Sequence, residues 1–249
     1  MKRLYDILND NRKKVAILVD PDKMNSRNDL EPLLKKVKIL SPDFIFIGGS
    51  TVSSEDFENC IRIVKEEVKI PVLLFPGSSN QVSGLADGIL FLSLISGRNP
   101  DYLIGHQVES APIIKRLNIE TIPTGYLLID GGKTSSVAYV SQTTPIPEDQ
   151  TSIAVNTAIA GEMLGLKALF LDAGSGAKNP VSSKMIAAVK QQTSLPVIVG
   201  GGIKTIDQIN EALGAGADLV VIGNKVEEDE NFLFDIKSIM STKNLISKN

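Results

Sequence analysis

The 249-residue chain has one cysteine and one histidine. A single cysteine cannot form an internal disulfide, which fits a reducing compartment. Cys60 falls in a stretch with amphipathic helical spacing, residues 55–68, and reads as a small buried hydrophobe rather than a catalytic thiol. His106 lies between Gly105 and Gln107, inside another helical pattern and away from any strand end, so a helix-surface role is expected rather than acid–base catalysis. No apolar run reaches the length of a membrane span. Residues 1–10 show neither a signal-peptide core nor a cleavage site, and a cytoplasmic protein is expected. An excess of either charge is also missing. With 26 Lys+Arg against 29 Asp+Glu the net charge is −3, which argues against nucleic acid or an anionic membrane as partner.

What the chain does have is a set of glycine-rich strand ends. Gly200-Gly201-Gly202 closes the run Pro196-Val197-Ile198-Val199, and Gly223-Asn224 closes Leu219-Val220-Val221-Ile222. Glycine lets backbone N–H groups approach an anion, and the helix start after Gly202, at Thr205-Ile206, adds a favourable dipole. Tight βα corners are the plainer reading of the same glycines.

Short β-rich runs alternate with helical patterns along the whole chain. Strands are expected at 14–20, 44–50, 71–77, 88–96, 121–130, 168–174, 196–202 and 219–224. Helices are expected at 28–40, 55–68, 102–117, 152–164, 182–192, 206–214 and 226–240. Residues 78–87 are rich in Ser, Asn and Gly, so the third helix is expected to be shortened or replaced by a loop. Continuous apolar runs suit parallel strands buried on both faces. Eight units and the length of the chain point to one (β/α)8 TIM-type barrel spanning residues 1–249, ahead of a doubly wound open sheet. Phosphates commonly sit after strands 7 and 8 of such barrels, where the two glycine corners fall.

Barrel chemistry sits at the C-terminal strand ends. Strand 1 ends in Asp20-Pro21-Asp22-Lys23, whose carboxylates suit a divalent cation that bridges phosphates, or else form a turn capping the next helix. Strand 2 ends in Gly48-Gly49-Ser50-Thr51, whose hydroxyls suit a metal shell, a phosphate or a helix N-cap. Strand 5 carries Tyr126, with an apolar body and polar tip for lining a pocket or filling the barrel. Residues 135–150 are too long for an ordinary βα loop and suit a lid or wall. Strand 6 gives Asp172-Ala173-Gly174-Ser175-Gly176, a carboxylate beside an anion nest. A carboxylate next to a phosphate site needs a task or a cation partner.

Together with Pro123-Thr124-Gly125-Tyr126, Phe170-Leu171 and Ile222-Gly223-Asn224, these motifs resemble, in order and over nearly the whole chain, the geranylgeranylglyceryl phosphate synthase family, which includes the bacterial heptaprenylglyceryl phosphate synthases. The resemblance implies Mg²⁺-dependent transfer of a polyprenyl group, geranylgeranyl by expectation, from its diphosphate to sn-glycerol 1-phosphate, in phospholipid biosynthesis. It places Mg²⁺ on Asp20 and Ser50. Glycerol phosphate then lies on Phe170, Leu171, Asp172, Ala173, Gly174, Ser175, Gly176, Gly201, Gly202, Gly223 and Asn224. Asp172 and Tyr126 are the candidate catalytic residues, Asp172 as proton acceptor. The family usually carries Glu where this chain has Asp172, and one branch has a lysine just before the Asp-Pro pair where this chain has Leu18-Val19. A homo-oligomer is expected. Rival readings are a phosphate-gripping isomerase or lyase on the same barrel, or a non-catalytic sensor of a phosphorylated ligand. Only prenyl transfer requires an elongated apolar groove beside the phosphate site, and strand 4 with the short third crossover would wall it.

Overall fold

In a computed structural model, which describes residues 3–24, 26–49 and 53–223 together with Phe232, Phe234 and Ile236, eight parallel strands close into a barrel in sequence order. The strands are β1 (Lys14–Val19), β2 (Phe44–Ile47), β3 (Val72–Leu74), β4 (Gly88–Ser93), β5 (Glu120–Leu128), β6 (Ala168–Asp172), β7 (Val197–Gly200) and β8 (Leu219–Ile222). β1 pairs with β8, which completes the cylinder. The helices are α1 (Leu4–Leu8), α2 (Arg27–Leu40), α3 (Ser54–Glu67), α4 (His106–Leu117), α5 (Ser136–Ser141), α6 (Thr151–Met163), α7 (Ser183–Gln192) and α8 (Ile206–Gly214). Among the described residues no helix is long and apolar enough to cross a membrane.

Side chains alternate across the strands and form two cores. Phe44, Phe46, Leu73, Leu90, Phe170 and Ile198 fill the inside of the barrel. Ile45, Ile47, Val72, Leu74, Leu171 and Val199 face the helices. Both sets are buried, which is why most of the strands read as apolar runs. The observed strands stop two or three residues short of several expected ends, for example at Leu74, Asp172 and Gly200. Glycine and polar residues at those tips leave the ladder and turn across the mouth. The third crossover has no helix: β3 passes to β4 through a loop anchored by buried Gln81, whose Nε2 donates to the Gly49 carbonyl at 2.9 Å while its Oε1 accepts the Gly77 amide at 2.9 Å.

Three helical segments depart from the sequence expectation. α1 plugs the bottom of the barrel with Leu4 and Leu8, and its first amides, those of Leu4 and Tyr5, donate to the Glu120 carboxylate at 2.7 and 2.9 Å. The stretch 135–150, expected as a lid or wall loop, contains α5, capped by Ser135 Oγ. The expected helix at 102–117 begins as a π-helical turn, Asp101–Gly105. Residues 226–240 lie outside the described residues except Phe232, Phe234 and Ile236, which are helical.

Candidate active site

The C-terminal end of the barrel opens into a cavity of about 700 Å³. Its floor is aromatic: Phe75 stacks on Phe170 at 5.0 Å between ring centroids, and Tyr126 meets Phe170 edge-on at 5.6 Å. Over this floor, Tyr126 Oη donates to Asp172 Oδ2, and the Gly174 amide donates to Asp172 Oδ1 at 2.8 Å. Asp172 is only 7% exposed yet lines the cavity. Burial pushes its carboxyl above the usual carboxylate value, against the two hydrogen bonds that favour the charged form. Burial, then the Asp172 charge and the hydrogen bond to it, push the Tyr126 hydroxyl well above the usual phenol value. Burial and the neighbouring carboxylate thus both favour the protonated, donating form of Tyr126.

Around this pair the candidate residues divide. Phe170, Asp172, Ser175, Gly176, Gly201, Gly202 and Gly223 all line the cavity. Leu171 and Ala173 do not: they alternate with Phe170 and Asp172, and their side chains pack into the outer core against the helices. Gly174, expected in an anion nest, has its amide engaged by Asp172, while Ser175 and Gly176 beyond it line the cavity. Asp20, Asp22 and Lys23 line the side of the mouth at β1, with the Asp22 amide on Asp20 Oδ1 at 3.2 Å and Lys23 Nζ at 3.7 Å from Asp20 Oδ2. Ser50 and Asn224 lie outside the described residues.

The α8 N-terminus adds less than expected. Thr205 and Gln208 form a capping box, and Gln208 Oε1 accepts the amides of Lys204 at 2.7 Å and Thr205 at 3.1 Å. The glycines before it carry the close approach instead. Gly201 has φ +77°, and a Cβ there would lie 2.5 Å from Asp172 Oδ1 and 2.6 Å from the Gly174 nitrogen. Gly201→Ala is expected to cost on the order of 2–4 kcal/mol through left-handed strain and backbone clash. It should also weaken inorganic phosphate at least about ten-fold. Thermal unfolding and calorimetry check this; a variant with unchanged melting and phosphate affinity would refute the packing.

Opposite the anion corners the wall is apolar. Ile89, Leu90, Phe91, Leu92 and Leu94 of the β4 segment and Val82 of the third crossover line the same cavity, with Val137 and Val140 of α5. α5 thus makes residues 135–150 a wall. His106, partly exposed at the start of α4, lines the cavity beside Tyr102, whose ring centroid is 4.6 Å away. Cys60 is buried among apolar neighbours, as expected, and burial with the Asp20 charge pushes its thiol up to about 12. Lys133 and Lys204, which the sequence reading did not single out, also line the cavity.

Comparison with known proteins places the chain in a family. The PcrB family profile matches residues 6–243. The geranylgeranylglyceryl phosphate synthase of Chitinophaga pinensis is 49% identical over 221 residues, covering 89% of this chain and 87% of its own. That of Flavobacterium johnsoniae is 48% identical, covering 93% and 95%. The crystal structure of the (S)-3-O-geranylgeranylglyceryl phosphate synthase from Thermoplasma acidophilum, in complex with its substrate sn-glycerol-1-phosphate, superposes with a TM-score of 0.89 at 33% identity and covers 98% of each chain. The chain belongs to the PcrB family, the prenyltransferases named geranylgeranylglyceryl phosphate synthases.

Proposed function

We propose that the chain joins a polyprenyl group, geranylgeranyl in the first instance, to sn-glycerol 1-phosphate with Mg²⁺ bound. The observation that supports this best is that a single cavity joins backbone anion corners on β6–β8 to an apolar wall on β4, with Asp172 between them. Mg²⁺ fits the residues at β1: Asp20 and Asp22 offer only hard oxygen donors, and Ser50 would add a hydroxyl. Among the described residues no three His, Cys, Asp or Glu side chains gather into a metal cluster. A sparse protein shell suits a cation that keeps waters and takes substrate phosphates as ligands. When bound, Mg²⁺ supplies charge neutralisation for the departing diphosphate.

The chain's own residues account for the rest. The corners at Ser175-Gly176, Gly201-Gly202 and Gly223 hold the phosphate of glycerol phosphate and fix its hydroxyl over the aromatic floor. The hydroxyl oxygen bonds to the allylic carbon as that carbon's bond to diphosphate oxygen breaks, and the hydroxyl proton passes to Asp172. Tyr126 donates to Asp172 Oδ2 and the Gly174 amide to Oδ1, which together fix the carboxylate beside the cavity. The β4 wall shelters the prenyl tail and keeps water from the allylic carbon.

Incubating the chain with sn-glycerol 1-phosphate and prenyl diphosphates of several lengths should release diphosphate and form the ether lipid phosphate. Chelation should stop the reaction and Mg²⁺ restore it. Absence of product with every prenyl length would overturn the proposal.

A further inference from the structure

Lys133 stands just beyond β5 and Lys204 just beyond β7, both exposed and both lining the main cavity. The third cavity lysine, Lys23, has Asp20 Oδ2 at 3.7 Å. Lys133 and Lys204 have no ion-pair partner among the described residues.

The backbone places them on either side of the Ser175-Gly176 corner. On one flank the Gly131 carbonyl accepts the amides of Lys178 at 2.9 Å and Asn179 at 3.1 Å, and a Cβ on Gly174 would lie 2.5 Å from Ser135 Cβ. On the other, a Cβ on Gly202 would lie 2.6 Å from the Asn179 carbonyl oxygen. Three segments thus pack edge to edge with the β6 corner in the middle and one lysine rooted on each side. A phosphate dianion on this wall faces the Asp172 carboxylate, and several nearby amides are already engaged: Gly174 by Asp172, Lys204 and Thr205 by Gln208. The remaining N–H groups carry only partial charge. Full positive charge must come from side chains, and an ammonium on a flexible stem reaches an anion as a point charge with three donors.

We infer that Lys133 and Lys204 close on the phosphate of the acceptor from opposite sides and set the preference for a phosphorylated over an uncharged polyol. The identity of that acceptor rests on the function proposed above; the charge chemistry does not, because inorganic phosphate probes it alone.

Calorimetric titration of the full chain with sn-glycerol 1-phosphate, and separately with inorganic phosphate, tests this without any prenyl substrate. Lys133→Ala and Lys204→Ala are each expected to weaken both ligands about ten-fold, the double variant more, and the arginine variants by less than about three-fold. The salt dependence of Kd should flatten in the double alanine variant. In turnover, KM for glycerol phosphate should rise while KM for the prenyl diphosphate stays put. Unchanged affinity and salt dependence in the double variant would overturn the inference, and loss confined to one lysine would overturn the two-sided grip. If the wild type takes inorganic phosphate but not glycerol phosphate, the proposed function fails, and the lysine effect on inorganic phosphate still decides this inference.

Discussion

Asp20→Asn is expected to lower kcat at least about a thousand-fold while leaving the Kd for glycerol phosphate within about two-fold. The size follows from the several kcal/mol that a metal contributes to a developing anionic charge. The separation follows from position: Asp20 lines the mouth at the end of β1, whereas the phosphate corners follow β6, β7 and β8. Asparagine keeps a carbonyl oxygen to accept the Asp22 amide, so the turn should survive and the melting temperature should hold. Steady-state kinetics with Mg²⁺ titrated, alongside calorimetry with glycerol phosphate, checks both halves. Near-normal Mg²⁺-dependent turnover would move the metal to Asp22.

The barrel was legible because most strands are buried on both faces. Phe44-Ile45-Phe46-Ile47 and Leu219-Val220-Val221-Ile222 alternate between the inner and outer cores, and both cores demand apolar residues. The missing third helix was legible in the Ser, Asn and Gly of 78–87. α1 was not, because its cap comes from Glu120, more than a hundred residues away, and its apolar residues plug a barrel that does not exist locally. The same tertiary origin hid the cavity face of His106, which depends on where the π-helical turn delivers α4.

Within the site, the motif resemblance marked whole stretches, while the strand period selects from them. In Phe170-Leu171-Asp172-Ala173 only alternate side chains face the substrate cavity, and the period of two carried that distinction in the sequence itself. The cavity lysines left a fainter signal. Gly131-Gly132-Lys133 and Gly201-Gly202-Ile203-Lys204 each set a lysine just past a glycine pair, a pattern indistinguishable from a solvated loop charge until the segments are seen packed against the β6 corner.

Asp172→Asn is expected to lower kcat by on the order of 10²–10⁴, the range for a positioned proton acceptor. KM for glycerol phosphate should change much less, because the phosphate is held elsewhere in the cavity. The amide fits the same bonds: its oxygen can accept from the Gly174 amide and its NH₂ can donate to Tyr126 Oη. Stability separates a catalytic from a structural role. Burial raises the carboxyl of Asp172 in the folded chain above its unfolded value, so its charge costs stability above the folded pKa, and that cost is relieved as pH falls through it. Asparagine carries no such charge, so the variant should melt no lower than the wild type at neutral pH despite its lost rate. The same raised carboxyl predicts that wild-type kcat/KM falls on the acid side at a pH above the usual aspartate value, and that the residual activity of Asp172→Asn lacks this limb. Asp172→Glu restores the side chain the family usually carries and should keep substantial activity. Near-normal turnover of Asp172→Asn with an unchanged acid limb would mean that ionisation of the allylic diphosphate drives the reaction without this base, and would leave Asp172 as an anchor for Gly174 and Tyr126 alone.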